Sequence, residues 1–302
     1  MVAPRVEASP WAAPRRRAQS LRDRHGFVAE VLTLYLALLE VWEQAWAAAR
    51  AGGGPEPEEL AGWAAQQVLP AVVAATAESG PKPLVESLFP VADLRAAEEL
   101  MAAWLAGAEL VPVERYLARA SLRGPLEALD AGAACARDPS PRGGRRCPRC
   151  GGPPQLSVRT DTGDHLVSGH RMLQCARCGE SWGFSGSACA YCGETGGARR
   201  TVYAEQHDGP RVGRGEPVNP LSGNPVSGNP VSGNAVSGNA VDITFPHIRV
   251  EACATCERYL IDIDLGRDPL AVPEVDELAA LPLDLYAAER GLSKITSNLM
   301  GF

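Results

Sequence analysis

The chain has 302 residues, 45% of them apolar and 22% charged, with a formal net charge of −7. That length suggests two or three domains, and that composition excludes a fully disordered, collagen-like or coiled-coil protein. No segment has the basic excess of a phosphate-binding face: residues 141–257 carry 12 basic and 10 acidic groups.

Residues 1–17 are rich in Pro and Arg and are expected to be loosely ordered. The run Arg15-Arg16-Arg17 is followed by Gln19-Ser20-Leu21-Arg22-Asp23-Arg24 rather than by an apolar stretch. No export signal is therefore expected, and the expected compartment is the cytoplasm. A helical domain is expected over 18–134. In its first helix, 18–49, Leu32, Tyr35, Leu39, Trp42 and Trp46 recur at spacings of three and four beside a second stripe of Phe27, Val31, Leu34, Leu38 and Val41. So wide an apolar face belongs inside a bundle. Glu30, Glu40 and Glu43 interrupt the stretch, so no membrane span is expected. Further helices are expected over 57–78, 82–89, 92–107 and 112–131, with Pro70 bending or breaking the first. Trp11, Trp42, Trp46, Trp63 and Trp104 read as core packing in this half, and Cys135 as a small apolar filler.

Residues 135–146 form a linker by their Pro, Gly and Arg content. Beyond it the helical period gives way to short β-type runs at Leu156–Thr160, His165–Leu173, Ser181–Phe184, Thr201–Ala204, Ile243–Val250 and Arg258–Ile263. Within this region residues 219–241 read NPLSG NPVSG NPVSG NAVSG NAV. This low-complexity insert has too little apolar surface to offset its ordering entropy and is expected to be exposed. A last helix is expected over 273–290 within the C-terminal segment 266–302, with Pro282 as an interior flaw. The fold class is α+β: an all-α domain, two tandem rubredoxin- or zinc-ribbon-like β units and a C-terminal helix.

Eight of the nine cysteines form four C-x-x-C pairs, Cys147/Cys150, Cys175/Cys178, Cys189/Cys192 and Cys253/Cys256. Two thiolates three positions apart on a tight turn point at one ion, and two such turns complete a tetrahedron. Gly151, Gly179 and Gly193 follow three of the pairs and permit the positive φ that turns backbone N–H groups toward the sulfurs, whereas Glu257 follows the fourth and makes a poorer knuckle. Arg171 and Arg249 each stand four residues before a Cys, marking an internal repeat. The inner gaps are 24 and 60 residues, and 23 of the 60 belong to the low-complexity repeat. Consecutive knuckles are therefore expected to pair, in a first unit over 147–186 and a second over 187–265, with an interleaved pairing as the alternative. Two tetrathiolate-bound metal ions follow, iron or zinc, since both accept four sulfurs in a tetrahedron. His165, His170, His207 and His247 are surplus to such sites, and Asp262 with Asp264 reads as a solvated strand face.

The stretches Cys147-Pro148-Arg149-Cys150-Gly151-Gly152-Pro153-Pro154, Leu173-Gln174-Cys175-Ala176-Arg177-Cys178 and Cys189-Ala190-Tyr191-Cys192-Gly193 resemble the formate dehydrogenase accessory protein family, FdhE. So do Arg249-Val250-Glu251-Ala252-Cys253-Ala254-Thr255-Cys256, Tyr259-Leu260-Ile261-Asp262-Ile263-Asp264 and the tail from Asp276-Glu277-Leu278-Ala279 to Leu283-Asp284-Leu285. The resemblance covers about 147–290; the repeat at 219–241 and Glu257 depart from the pattern. It implies a cytoplasmic, non-enzymatic assembly factor that binds the catalytic subunit of a formate dehydrogenase and carries iron or zinc. Neither a membrane nor a nucleic acid is an expected partner. Two other readings are a zinc-ribbon nucleic-acid-binding protein and a rubredoxin-like one-electron carrier. The first is disfavoured because a tetrathiolate zinc site is itself negative and repels phosphate.

Overall fold

The computed structural model describes residues 10–51, 54–88, 96–129, 144–160, 170–205 and 245–301. The repeat at 219–241, Cys135, His165 and His207 lie outside them. The helical half runs α1 (Ala12–Arg24), α2 (Ala29–Arg50), α3 (Leu60–Gln67), α4 (Leu69–Ser79), α5 (Lys82–Leu88), α6 (Ala97–Ala106) and α7 (Pro112–Ala128). α2 is its axis, packed by α1, α4 and α7. Leu32, Leu34, Leu38 and Leu39 are fully buried, which accounts for its two adjacent apolar stripes. α2 and α7 cross closely at Gly124, where a Cβ would lie 2.6 Å from the carbonyl of Trp42. The Trp42 Nε1 donates to the Ala120 carbonyl at 2.7 Å across the same crossing. No single described helix is long and apolar enough to cross a membrane.

Several helix boundaries differ from expectation for identifiable reasons. α1 starts at Ala12, inside the stretch expected to be loose, because Trp11 and Leu21 have somewhere to go: both are 2% exposed, and the Trp11 ring lies 6.0 Å from that of Trp42. Gly26 opens a short 3-10 turn that splits the expected 18–49 helix into α1 and α2. Pro70 and Pro282 each sit in the first turn of a new helix, α4 and α9 (Leu281–Glu289), where a missing N–H costs nothing. The expected C-terminal helix is thus two, α8 (Pro273–Ala279) and α9.

The β region forms one sheet from β1 (Pro154–Thr160), β2 (His170–Cys175), β3 (Ser181–Gly183), β4 (Arg200–Ala204), β5 (Ile248–Cys253), β6 (Arg258–Asp264) and β7 (Ser293–Lys294). The order is β3-β2-β1-β6-β5-β4, with β7 also on β6. Each unit is an antiparallel three-strand meander, and the units join head to tail where β1 runs parallel to β6, Leu156 opposite Ile261 and Val158 opposite Ile263. Buried apolar residues of the helices, the sheet and α8–α9 form one continuous core.

A buried ionic cluster ties the chain's two ends together. Arg17 on α1 donates through Nε to both carboxylate oxygens of Asp276 on α8, at 3.1 and 2.9 Å, and through Nη2 to Asp268 at 2.7 Å. His247 lies against the same carboxylate at 2.8 Å. Asp276 is completely buried, so removing its guanidinium leaves an uncompensated interior charge. Arg17→Ala is expected to cost about 3–5 kcal/mol in chemical denaturation, far more than a surface substitution.

Candidate metal centres

Three of the four C-x-x-C turns are closed in the same way. The residue after the second cysteine returns its N–H to the first cysteine's carbonyl: Gly151 to Cys147 at 2.9 Å, Gly179 to Cys175 at 3.3 Å and Gly193 to Cys189 at 3.0 Å. These glycines have φ of 67°, 70° and 84°, and Glu257 takes the equivalent conformation at φ 55° despite its side chain. Backbone amides then face sulfur, Arg177 N–H toward Cys175 at 3.3 Å and Tyr191 N–H toward Cys189 at 3.4 Å.

The knuckles converge consecutively. The sulfurs of Cys147, Cys150, Cys175 and Cys178 all lie within 4.8 Å of one another, and those of Cys189, Cys192, Cys253 and Cys256 do likewise. In the first group Cys147 is 3.7 Å from Cys178 and Cys150 is 3.4 Å from Cys175; in the second Cys189 is 3.9 Å from Cys256 and Cys192 is 3.7 Å from Cys253. A metal–sulfur bond of about 2.3 Å gives a tetrahedron with edges of about 3.8 Å, so both donor sets fit a four-coordinate ion. Burial and the neighbouring thiols push the Cys175 thiol well above its usual range. A bound dication would reverse that balance by stabilising thiolates outright. Iron and zinc fit equally.

The first group is docked on the helical half by its own knuckle residues, a role the spacing did not reveal. Arg149 donates to the carbonyls of Leu126, at 3.0 Å, and Leu129, at the end of α7, and Arg177 donates to that of Leu105 in the last turn of α6, at 3.0 Å. Behind it Arg119 donates to the Ser297 carbonyl at 2.6 Å and to Gln155, and burial brings this guanidinium down to about 10. Other residues fall elsewhere than expected. Asp262 is wholly buried rather than solvated. Burial alone would raise it, but Arg159 and Arg249 outweigh that and hold its carboxyl below the usual range. His247 belongs to the Arg17 cluster, and His170 is exposed on β2. Among the described residues one further His/Asp group converges, His247 with Asp268 and Asp276, and the Arg17 guanidinium already fills it.

Comparisons with known proteins bear on this geometry. The model of the FdhE C-terminal domain matches residues 232–300. The FdhE homologue of Aquifex aeolicus is 28% identical over 156 residues, 52% of this chain and 41% of that protein. The FdhE homologue of Pseudomonas putida is 27% identical over 155 residues, 51% of this chain and 38% of that protein. Each match thus spans well under two thirds of the relative. The crystal structure of the FdhE protein from Pseudomonas aeruginosa superposes with a TM-score of 0.60 at 19% identity, covering 96% of this chain and 95% of that one, which shows a common fold. The chain is related to the FdhE family.

Two outcomes test the centres. Protein purified without oxygen is expected to hold two metal ions, and Cys150→Ser one, by elemental analysis; a ligand loss is severe because structural zinc in small fingers contributes roughly 10–16 kcal/mol. Glu257→Gly should raise the melting temperature and stabilise the fold by about 1 kcal/mol, since it relieves a left-handed non-glycine conformation.

Proposed function

We propose that this chain is a non-catalytic cytoplasmic accessory factor that binds the catalytic subunit of a formate dehydrogenase and supports its maturation. Cys147, Cys150, Cys175 and Cys178 hold one iron or zinc ion, and Cys189, Cys192, Cys253 and Cys256 hold the other. The observation that carries this reading is the pair of convergent tetracysteine groups on one sheet in an FdhE relative. Four protein sulfurs close each coordination sphere, the pattern of a structural rather than a substrate-activating ion. Ions so held rigidify short strands and knuckles, which lowers the ordering cost of binding a partner. In this assignment residues 18–134 are the helical scaffold, and 147–186 and 187–265 are the two ribbon units.

The test is co-purification of the catalytic subunit with the wild-type chain, Cys150→Ser and Cys192→Ser. Wild type is expected to recover the subunit and both variants to lose it. Equal recovery from all three would remove the metal units from recognition, and no recovery from wild type would sink the assignment.

A further inference from the structure

Between the helical half and the second tetracysteine group the surface opens into a groove of about 750 Å3. Arg115, Arg145, Arg146, Arg177 and Arg258 line it against a single acidic lining residue, Glu109. Among the described residues Arg115, Arg177 and Arg258 form no ion pair with a carboxylate. Arg258 lies 4.2 Å over the ring of Tyr191, which is 45% exposed and forms an aromatic part of the wall. Cys192 also lines the groove, so a negative tetrathiolate centre offsets the cations nearest to it. Arg115 stands apart from that centre, in the first turn of α7.

One side of the groove is an open strand edge. β7 pairs parallel to β6 through Ser293, which donates to the Glu257 carbonyl at 2.9 Å, and Ile295, which donates to the Tyr259 carbonyl at 2.9 Å. Lys294 alternates with them and turns its backbone N–H and C=O groups away from β6, and the chain bends at Ile295 and Thr296. Among the described residues these groups have no hydrogen-bond partner. Lys294 and Thr296 line the groove. The Thr296 side chain adds a second unanswered group: the residue is 9% exposed, and its Oγ1 is buried without a partner. The Lys294 ammonium, by contrast, is committed to Glu277 at 2.9 Å and Asp284 at 3.0 Å.

An edge strand offers alternating donors and acceptors, which another peptide backbone satisfies in full. A phosphodiester backbone has acceptors only and leaves the carbonyl of Lys294 unanswered. Arginines on the surrounding walls suit carboxylates, which they can bind through two parallel hydrogen bonds. We propose that this groove binds an extended acidic peptide segment of a partner protein, added as a strand to the open edge of β7 with its carboxylates on Arg115, Arg177 and Arg258. The site is independent of which partner supplies the segment.

The probe is a fluorescein-labelled peptide of alternating glutamate and valine, titrated into the full chain beside a lysine–valine counterpart and a single-stranded oligonucleotide. The glutamate peptide is expected to bind, the lysine peptide to fail, and Arg115→Glu to weaken binding by about tenfold. Thr296→Val, which keeps the shape and removes the hydroxyl, should weaken it a few-fold. Unchanged circular dichroism and metal content show that each variant is folded. Hydrogen exchange should slow at the amide of Lys294 when the peptide is bound. Equal binding of both peptides, tighter binding of the oligonucleotide, indifference to Arg115→Glu, or binding without protection of that amide would each overturn the proposal.

Discussion

The parallel pairing of β1 with β6 is the join on which the C-terminal half depends, since it turns two small meanders into one sheet. Its register is enforced by charge. On one face Glu251 of β5 accepts from Arg159 of β1, Arg171 of β2 and Arg200 of β4, the last at 3.0 Å. Asp262 of β6 accepts from Arg159 at 3.0 Å and from Arg249 at 2.7 Å. Five strands thus meet around two carboxylates, which are 4% and 0% exposed. The opposite face carries Ile248, Val250, Ile261 and Ile263, all fully buried. A slip of one residue would exchange these sets and drive unpaired carboxylates into the apolar core. Such buried pairs add little net stability over an apolar replacement, but they make every other register costly.

The two tetracysteine groups share a design yet hold different positions in the fold. The first is built into the helix bundle, because the inner residues of its knuckles, Arg149 and Arg177, answer the carbonyls that α7 and α6 leave open at their C-termini. The cationic side chains also sit at the negative ends of those helix dipoles. Order in the first knuckles and order in the helix ends are therefore coupled. The second group instead presents Tyr191 and Cys192 to the groove. Its fourth knuckle tolerates a strained Glu257, whose carbonyl accepts from Ser293 and starts β7.

The parts legible in the sequence were those set by short-range rules. Spacing alone identified the knuckles, and the Arg171/Arg249 repeat pointed to their consecutive pairing, because C-x-x-C geometry is local and the two units repeat it. Helical periodicity placed α2 and α7, and Pro70 marked a break between two helices, whereas Pro282, read as an interior flaw, opens α9. What escaped was set by partners distant in sequence. Nothing in the tract around Arg17 announces an ion pair with Asp276, 259 residues away. Asp262 read as solvated because alternation does not reveal that three arginine-bearing strands will surround it. Trp182 and Tyr259 are 8% and 4% exposed and are held by distant partners, the Gly144 carbonyl and Asp284.

Charge counted along the chain hides the groove for the same reason. Arg115 comes from a segment, 51–140, with 6 basic and 13 acidic residues, and Arg258 opens a segment, 258–302, with 4 and 8. Neither segment looks cationic. The fold separates the signs by depth. α8 and α9 carry Asp276, Glu277 and Asp284 inward to 0%, 0% and 3% exposure, where Arg17, Lys294 and Tyr259 answer them. Burial pushes Glu277 up even against Lys294, which marks how little water reaches it. With those carboxylates taken into the interior, a chain of net charge −7 can still present a surface groove lined by five arginines. A charged ligand entering that groove would feel chiefly its local field, because solvent salt screens the distant acidic surface within about 10 Å.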